Sequence, residues 1–214
     1  MPVTPQSKVL IDRLLNNLPM LHFWHGEFSY GGFDKAVVGS LFWELFPALP
    51  EAPVIVETGA GLSTLAFLAA RPSRLVTVSV DPDGGLERRI REWAGANDFP
   101  LESLQYINGL SEYHLPAVAQ TGLQADVCMM DGGHGWPTVF VDFCYLNMCL
   151  KKGGFLVIDD LHLYSVSQLL LLLKHQPGWT LHHRPGPKTI IVRKDTAEPL
   201  MPDFGGQPFI LNNS

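Results

Sequence analysis

The chain has no long apolar run. Its densest, Leu169 to Leu173, is far too short to span a bilayer, so no membrane partner is expected. Positive charge is scarce and scattered, with 15 Lys and Arg against 21 Asp and Glu and a net charge of −6. Without a basic stripe nothing argues for a nucleic-acid partner, and a small-molecule substrate is the better expectation. Cysteine is rare as well: Cys128, Cys144 and Cys149 form neither a metal-ligand spacing nor an even-numbered framework, and Cys128 falls inside an apolar strand run. All three are expected to be reduced packing residues of a cytoplasmic protein. The N-terminus, Met-Pro-Val-Thr-Pro, lacks a basic region followed by an apolar one and so does not read as a secretory signal. What remains is a chain of 214 residues with 46% hydrophobic content and 17% charge, long enough for one domain with a large core.

The informative stretch is Val54-Ile-Val-Glu-Thr-Gly-Ala-Gly-Leu-Ser-Thr-Leu-Ala-Phe67. Three β-branched neighbours without polar alternation read as a strand covered on both faces of a parallel sheet. Gly59 and Gly61 then allow a sharp turn with no Cβ facing a ligand, and Ser63 and Thr64 open a helix whose free N–H groups face the same space. The dinucleotide fingerprint would need a third glycine at position 64, which holds Thr64, and no Gly-Lys-Ser/Thr follows to make a Walker A loop.

Around this turn the chain alternates between strand and helix patterns. Leu75 to Val80 is a second strand that ends at Asp81, close to the ~20 residues past the glycines at which α/β nucleotide folds place an acid on the ribose hydroxyls. The same Asp81 opens a turn, Asp-Pro-Asp-Gly-Gly85, so a purely local role is the rival reading. Leu104 to Ile107 is a third strand, Ala125 to Asp131 a fourth and Phe155 to Asp160 a fifth. Thr180 to His183 and Thr189 to Arg193 form a terminal hairpin around Arg184-Pro-Gly-Pro-Lys188. Before the core, Ser7 to Leu18 and Phe33 to Phe46 read as helices flanking an aromatic, histidine-rich segment (His22, Phe23, Trp24, His25, Phe28, Tyr30). Residues 1–52 are therefore expected to be an N-terminal helical cap, packed on the domain or serving as a lid, 53–194 the core, and 195–214 a tail. Phe204, Phe209 and Ile210 equip the tail to pack on the cap or on a second subunit of a homo-oligomer.

In a doubly wound sheet ligands bind beyond the carboxyl ends of the strands, and neighbouring strands lie ~4.8 Å apart. Asp131, Asp159 and Asp160 would then converge. Three carboxylates that close raise one another's pKa unless a cation compensates them, and oxygen-only ligands point to Mg²⁺. Helix capping by Asp131 or Asp160, with Asp159 solvated, is the simpler alternative. His134, three residues past one acid, is a candidate base, and His162 a supporting or capping residue.

Glu57-Thr-Gly-Ala-Gly-Leu-Ser-Thr64 resembles the first motif of class I S-adenosylmethionine-dependent methyltransferases. The resemblance implies a Rossmann-like doubly wound sheet of about seven strands, in the order 3-2-1-4-5-7-6 with the last strand antiparallel. It also implies that Glu57, Gly59, Ala60, Gly61 and Ser63 approach the amino-acid part of the cofactor, whose ammonium suits a carboxylate. By the same resemblance Ser111 and Glu112, after the third strand, are adenine-side candidates, and Asp131 lies beside the cofactor. Asp131-Gly-Gly-His134 followed by Gly153-Gly-Phe-Leu-Val-Ile-Asp-Asp-Leu-His162 is similar to the DGxH and DDxH pattern of Mg²⁺-dependent sugar O-methyltransferases. The acids are also arranged much as in catechol O-methyltransferase, although Asp160 stands where that enzyme has Asn. The expected function is Mg²⁺-assisted O-methylation of a small hydroxylated molecule, with Asp131 and His134 at the reaction centre and Asp131, Asp159 and Asp160 on the metal. Two rivals are a metal-independent methyltransferase with a histidine base, and a binding protein that keeps the cofactor pocket without the chemistry.

Overall fold

The computed structural model describes residues 4–176 and 178–197. The tail residues Phe204, Phe209 and Ile210 lie outside the described residues. In chain order the first elements are α1 (Pro5–Asn16), the hairpin strands β1 (His22–Trp24) and β2 (Glu27–Ser29), and α2 (Lys35–Ser40). The core continues with β3 (Val54–Thr58), α3 (Leu62–Ala69), β4 (Arg74–Ser79), α4 (Leu86–Ala96), β5 (Leu104–Asn108), α5 (Ser111–Gln120), β6 (Ala125–Met130) and α6 (Thr138–Cys149). It closes with β7 (Leu150–Ile158), α7 (Tyr164–His175), β8 (Trp179–His183) and β9 (Ile190–Lys194).

The seven core strands form one sheet in the order β5-β4-β3-β6-β7-β9-β8. The first five pair in parallel, and β9 runs antiparallel to β7 and β8. This is the Rossmann-like architecture and strand order expected from the sequence. Alternation along each strand divides the core in two. Ile55, Leu75, Val127, Met129 and Val157 pack against α1 to α4, whereas Val56, Val76, Cys128, Met130 and Leu156 pack against α5 to α7. Among the described residues no helix is long and apolar enough to cross a membrane.

The N-terminal region differs from its expected outline in two places. The second helix is α-helical only over Lys35–Ser40, then widens into a π turn over Leu41–Leu45 and tightens into a 3-10 turn over Phe46–Ala48. The wider turn brings two adjacent pairs, Leu41 with Phe42 and Leu45 with Phe46, onto the buried side, while Trp43 stays exposed. The aromatic segment forms the hairpin β1–β2, turned by His25 and Gly26, both at positive φ as a two-residue hairpin turn requires.

Leu10, Ile11 and Leu14 of α1, together with Val37, Val38, Phe42 and Phe46, share one apolar cluster with Leu65 and Phe67 of α3. The cap is thus part of the core on one face of the sheet. Phe42→Ala, at a fully buried position, is expected to cost about 3–5 kcal/mol, with fluorescence and far-ultraviolet dichroism falling in a single urea transition. A separate early transition, or a cost below about 1 kcal/mol, would show that the cap folds apart from the sheet.

Candidate functional site

A cleft of about 510 Å³ opens beyond the carboxyl ends of the parallel strands, where the sheet turns from β3 toward β4 on one side and β6 on the other. Ligands of open α/β sheets bind at this switch point. The turn after β3 forms its floor through Gly59, Ala60, Gly61 and Ser63, and the starts of α5 and α6 form a wall through Ser111, Glu112 and Thr138. Asp131, His134 and Asp160 lie at one end, and His22, Trp24 and Tyr30 from the N-terminal hairpin region cover it.

The glycine turn is held from below. Thr64 donates its hydroxyl to Glu57 Oε1 at 2.6 Å and accepts the Gly61 N–H at 3.1 Å. A threonine where a dinucleotide fold would have glycine thus ties the turn to the strand beneath it. Thr77, opposite Glu57 on β4, donates to the same oxygen at 2.7 Å. Glu57 is fully buried and does not line the cleft, and its Oε2 has no hydrogen-bond partner among the described residues. Burial pushes its carboxyl up to about 7, against the hydrogen bonds from Thr64 and Thr77. Its visible contacts organise the turn from beneath.

Asp81 takes the local role that its turn offered. Its carboxylate accepts the N–H groups of Gly85 and Leu86 at 2.9 Å and of Glu87 at 3.3 Å, which puts the anion at the N-terminus of α4. The local turn chemistry is present, and Asp81's neighbours Val80 and Pro82 line the cleft. Ser111 and Glu112 do line it, and Glu112 is held by a short hydrogen bond from the Thr138 hydroxyl, which keeps its carboxyl below the usual range.

The acids at the strand ends converge in part. His134 Nε2 lies 3.2 Å from Asp160 Oδ2 and 3.6 Å from Asp131 Oδ1. One donor atom from each of these three residues falls within 4.8 Å of the others. Asp131 is pushed up to about 6, chiefly by burial, and His134 is raised chiefly by the Asp131 carboxylate beside it. Asp159 is not part of this group. It is buried, accepts the Thr189 hydroxyl at 2.5 Å, and has Lys188 Nζ 3.3 Å from its other oxygen. The expected all-aspartate set is therefore replaced by two carboxylates and an imidazole. Buried and without a well-aligned hydrogen bond, His134 Nε2 faces both carboxylates, so the donors fit a divalent cation. An imidazole among them weakens the oxygen-only argument for Mg²⁺ and admits ions such as Mn²⁺. His162 stands at the edge, its ring 3.7 Å from Asp160 and largely exposed.

Lys188 is not among the site residues expected from the sequence, and His22 figures there only within its aromatic segment. Lys188 Nζ lies 3.1 Å from Asp160 Oδ1, so an ammonium already sits between Asp159 and Asp160. The antiparallel register that pairs Ile158 with Ile190 carries positions 188 and 189 to the acid pair, a signal present once β9 is inserted beside β7. His22 packs on the glycine turn so closely that a Cβ at Gly61 would lie 2.8 Å from its Nε2. Nothing in the pattern of the N-terminal segment singles out His22 among its aromatic neighbours.

Residues 56–161 match a family model described as a methyltransferase domain. No curated protein sequence matches the chain. Among solved structures, the O-methyltransferase TomG of Streptomyces achromogenes, involved in tomaymycin synthesis and solved with S-adenosylmethionine, is similar at 16% identity and a TM-score of 0.62, with 89% of each chain covered. A precorrin-6y C5,15-methyltransferase from Geobacter metallireducens is similar at 15% identity and a TM-score of 0.57, over 82% of this chain and 98% of that one. A branched-chain polyamine synthase mutein from Thermus thermophilus, in complex with N4-aminopropylspermidine and 5'-methylthioadenosine, is similar at 14% identity and a TM-score of 0.57, over 78% of this chain and 57% of that one. Residues 56–161 are thus similar to a methyltransferase domain, and the chain shares the Rossmann-like fold of these structures.

Glu57 offers a test of the floor of the cleft. Its folded-state value of about 7 is above the ordinary 4.5. The carboxyl is therefore accommodated without cost at low pH, and its ionisation opposes folding as pH rises from about 4.5 through 7. Glu57→Gln keeps an acceptor for both threonines and cannot ionise. In urea unfolding without ligand, the wild type should lose up to about 3 kcal/mol relative to this variant between acid and mildly alkaline pH. Parallel stability curves would show that Glu57 is comfortably charged in the fold.

Proposed function

We propose that this chain is an S-adenosylmethionine-dependent O-methyltransferase acting on a small hydroxylated molecule. The observation that carries the reading is a juxtaposition: the glycine turn of the methyltransferase domain and the Asp131–His134–Asp160 cluster open on one cleft. Gly59, Ala60, Gly61 and Ser63 would receive the amino-acid part of the cofactor, and Ser111 and Glu112 its adenine side. Bound there, the cofactor supplies an electrophilic methyl group on a sulfonium, and the chain must present an oxygen in line with it. The acid and imidazole cluster is suited to orienting that hydroxyl and taking its proton. Glu57 would act from beneath, holding the turn through Thr64 and favouring a cationic ligand above it.

The cluster supports two versions of the acceptor side. In the first, Asp131, His134 and Asp160 hold a divalent cation, which when present lowers the pKa of the acceptor hydroxyl. In the second, His134 takes the proton unaided, with Asp131 and Asp160 stabilising its charged form. The second is favoured by Lys188, which already compensates Asp159 and Asp160 without any metal. A non-catalytic binding protein would retain the cofactor affinity alone.

Calorimetry with S-adenosylmethionine tests the first requirement, and micromolar or tighter binding is expected. Mn²⁺ and Mg²⁺ are then titrated into the wild type and Asp131→Asn. The cation version expects binding that weakens about tenfold or more in the variant, and activity that is lost to a chelator and restored by the ion. Activity indifferent to a chelator, but falling about 10²–10⁴-fold in His134→Ala, would select the histidine version. Failure of the wild type to bind the cofactor would overturn the proposal.

A further inference from the structure

The hairpin region over the cleft is fastened at both ends by cations from distant parts of the chain. At one end Arg89 of α4 donates to the Leu21 carbonyl at 2.5 Å, lies over the Phe28 ring at 5.5 Å, and pairs with Asp83. At the other end Lys188 donates to the Gly32 carbonyl at 2.5 Å. The two fastenings differ in what stands behind them. Arg89 is anchored to a turn away from the reaction centre, whereas Lys188 is anchored on Asp159 and Asp160, and Asp160 is the carboxylate nearest to His134.

The base of Lys188 is fixed as well. Its backbone carbonyl accepts the Leu161 N–H at 2.9 Å, and the adjacent Thr189 hydroxyl is bound to Asp159. Asp160 sits at φ +57, a left-handed conformation that an aspartate adopts at some cost. In that conformation Oδ1 faces Lys188 and Oδ2 faces His134. The ammonium therefore has a definite place, with three oxygens from two separate regions around it. His22, Trp24, Tyr30, Gly32 and Phe33 line the cleft from this segment.

We propose that Lys188 is a positioning residue that couples the acid cluster to closure of residues 21–33 over the cofactor cleft. One ammonium holds Asp160 toward His134 and holds the Gly32 carbonyl above the glycine turn. Its loss would free the segment carrying His22, Trp24 and Tyr30 and weaken cofactor retention. The inference rests on the cleft being the S-adenosylmethionine site proposed above, but its first measurement needs no cofactor.

Hydrogen exchange of the ligand-free protein is compared for wild type, Lys188→Met and Lys188→Arg. Amides of residues 21–33 should exchange about tenfold faster or more in Lys188→Met, while those of β3 and β6 keep their protection, which separates local opening from general destabilisation. Lys188→Arg, still able to donate to carboxylate and carbonyl, should restore most of the protection. In calorimetry, Lys188→Met should bind S-adenosylmethionine about tenfold more weakly, with Lys188→Arg recovering most of the loss. Unchanged exchange in residues 21–33, or equal behaviour of the Met and Arg variants, would overturn the proposal. Absence of cofactor binding in every form would sink the functional reading and leave the exchange result to decide the role of Lys188.

Discussion

The carbonyl oxygen of Asp131 lies where a side chain at position 59 would begin. A Cβ on Gly59 would overlap it, and Gly59 itself sits at φ +79, so the close passage of the loop after β6 over the turn after β3 needs glycine twice over. The approach is set by the parallel pairing of β3 with β6 and closed by the Asp131 N–H bonding to the Thr58 carbonyl at 3.1 Å. From this contact follows the geometry of the cleft. The turn that would receive a cofactor and the first carboxylate of the acid cluster are backbone neighbours, so neither can move without the other.

Four carboxylates crowd this region, and the fold treats each differently. Glu57 is kept beneath the turn, fed by two threonine hydroxyls and raised toward neutrality by burial. Asp159 is withdrawn into the sheet edge against Thr189 and Lys188. Asp160 is shared between the ammonium and the imidazole, and Asp131, raised to about 6, lies beside the imidazole at the same end of the cleft. Like charges this close would otherwise depress one another's ionisation. The outcome is a graded site: charge is neutralised where it supports structure and left partly uncompensated at Asp131 and His134, where a ligand can reach it.

The strands, their order and the glycine turn were legible because buried β-branched runs and strand-to-turn breaks are local signals. Asp131 and Asp160 were legible for the same reason, since each ends a strand at the ligand-bearing rim. Asp159 lies apart from that cluster because its oxygens face the Thr189 hydroxyl and the Lys188 ammonium, partners that only the neighbouring strand supplies. For Asp81 the turn Asp-Pro-Asp-Gly-Gly was legible as well, and its free N–H groups hold the carboxylate. Lys188 was hidden by sequence distance alone. Its position beside Asp160 depends on β9 entering antiparallel between β7 and β8, a tertiary fact that makes the register arithmetic meaningful.

Several residues of the cleft lie outside residues 56–161, the part that matches a methyltransferase domain. That part supplies the turn, the wall and the Asp131–His134–Asp160 cluster. His22, Trp24 and Tyr30 come from before it, and Lys188 and Thr189 from after it. The same fold in the polyamine synthase mutein accompanies 5'-methylthioadenosine and a branched polyamine, so the sheet and its turn do not by themselves fix which group is transferred or to what. In this chain the ammonium of Lys188 bonds to the Gly32 carbonyl on one side and to Asp160 on the other, so the segment over the cleft and the acid cluster share one contact.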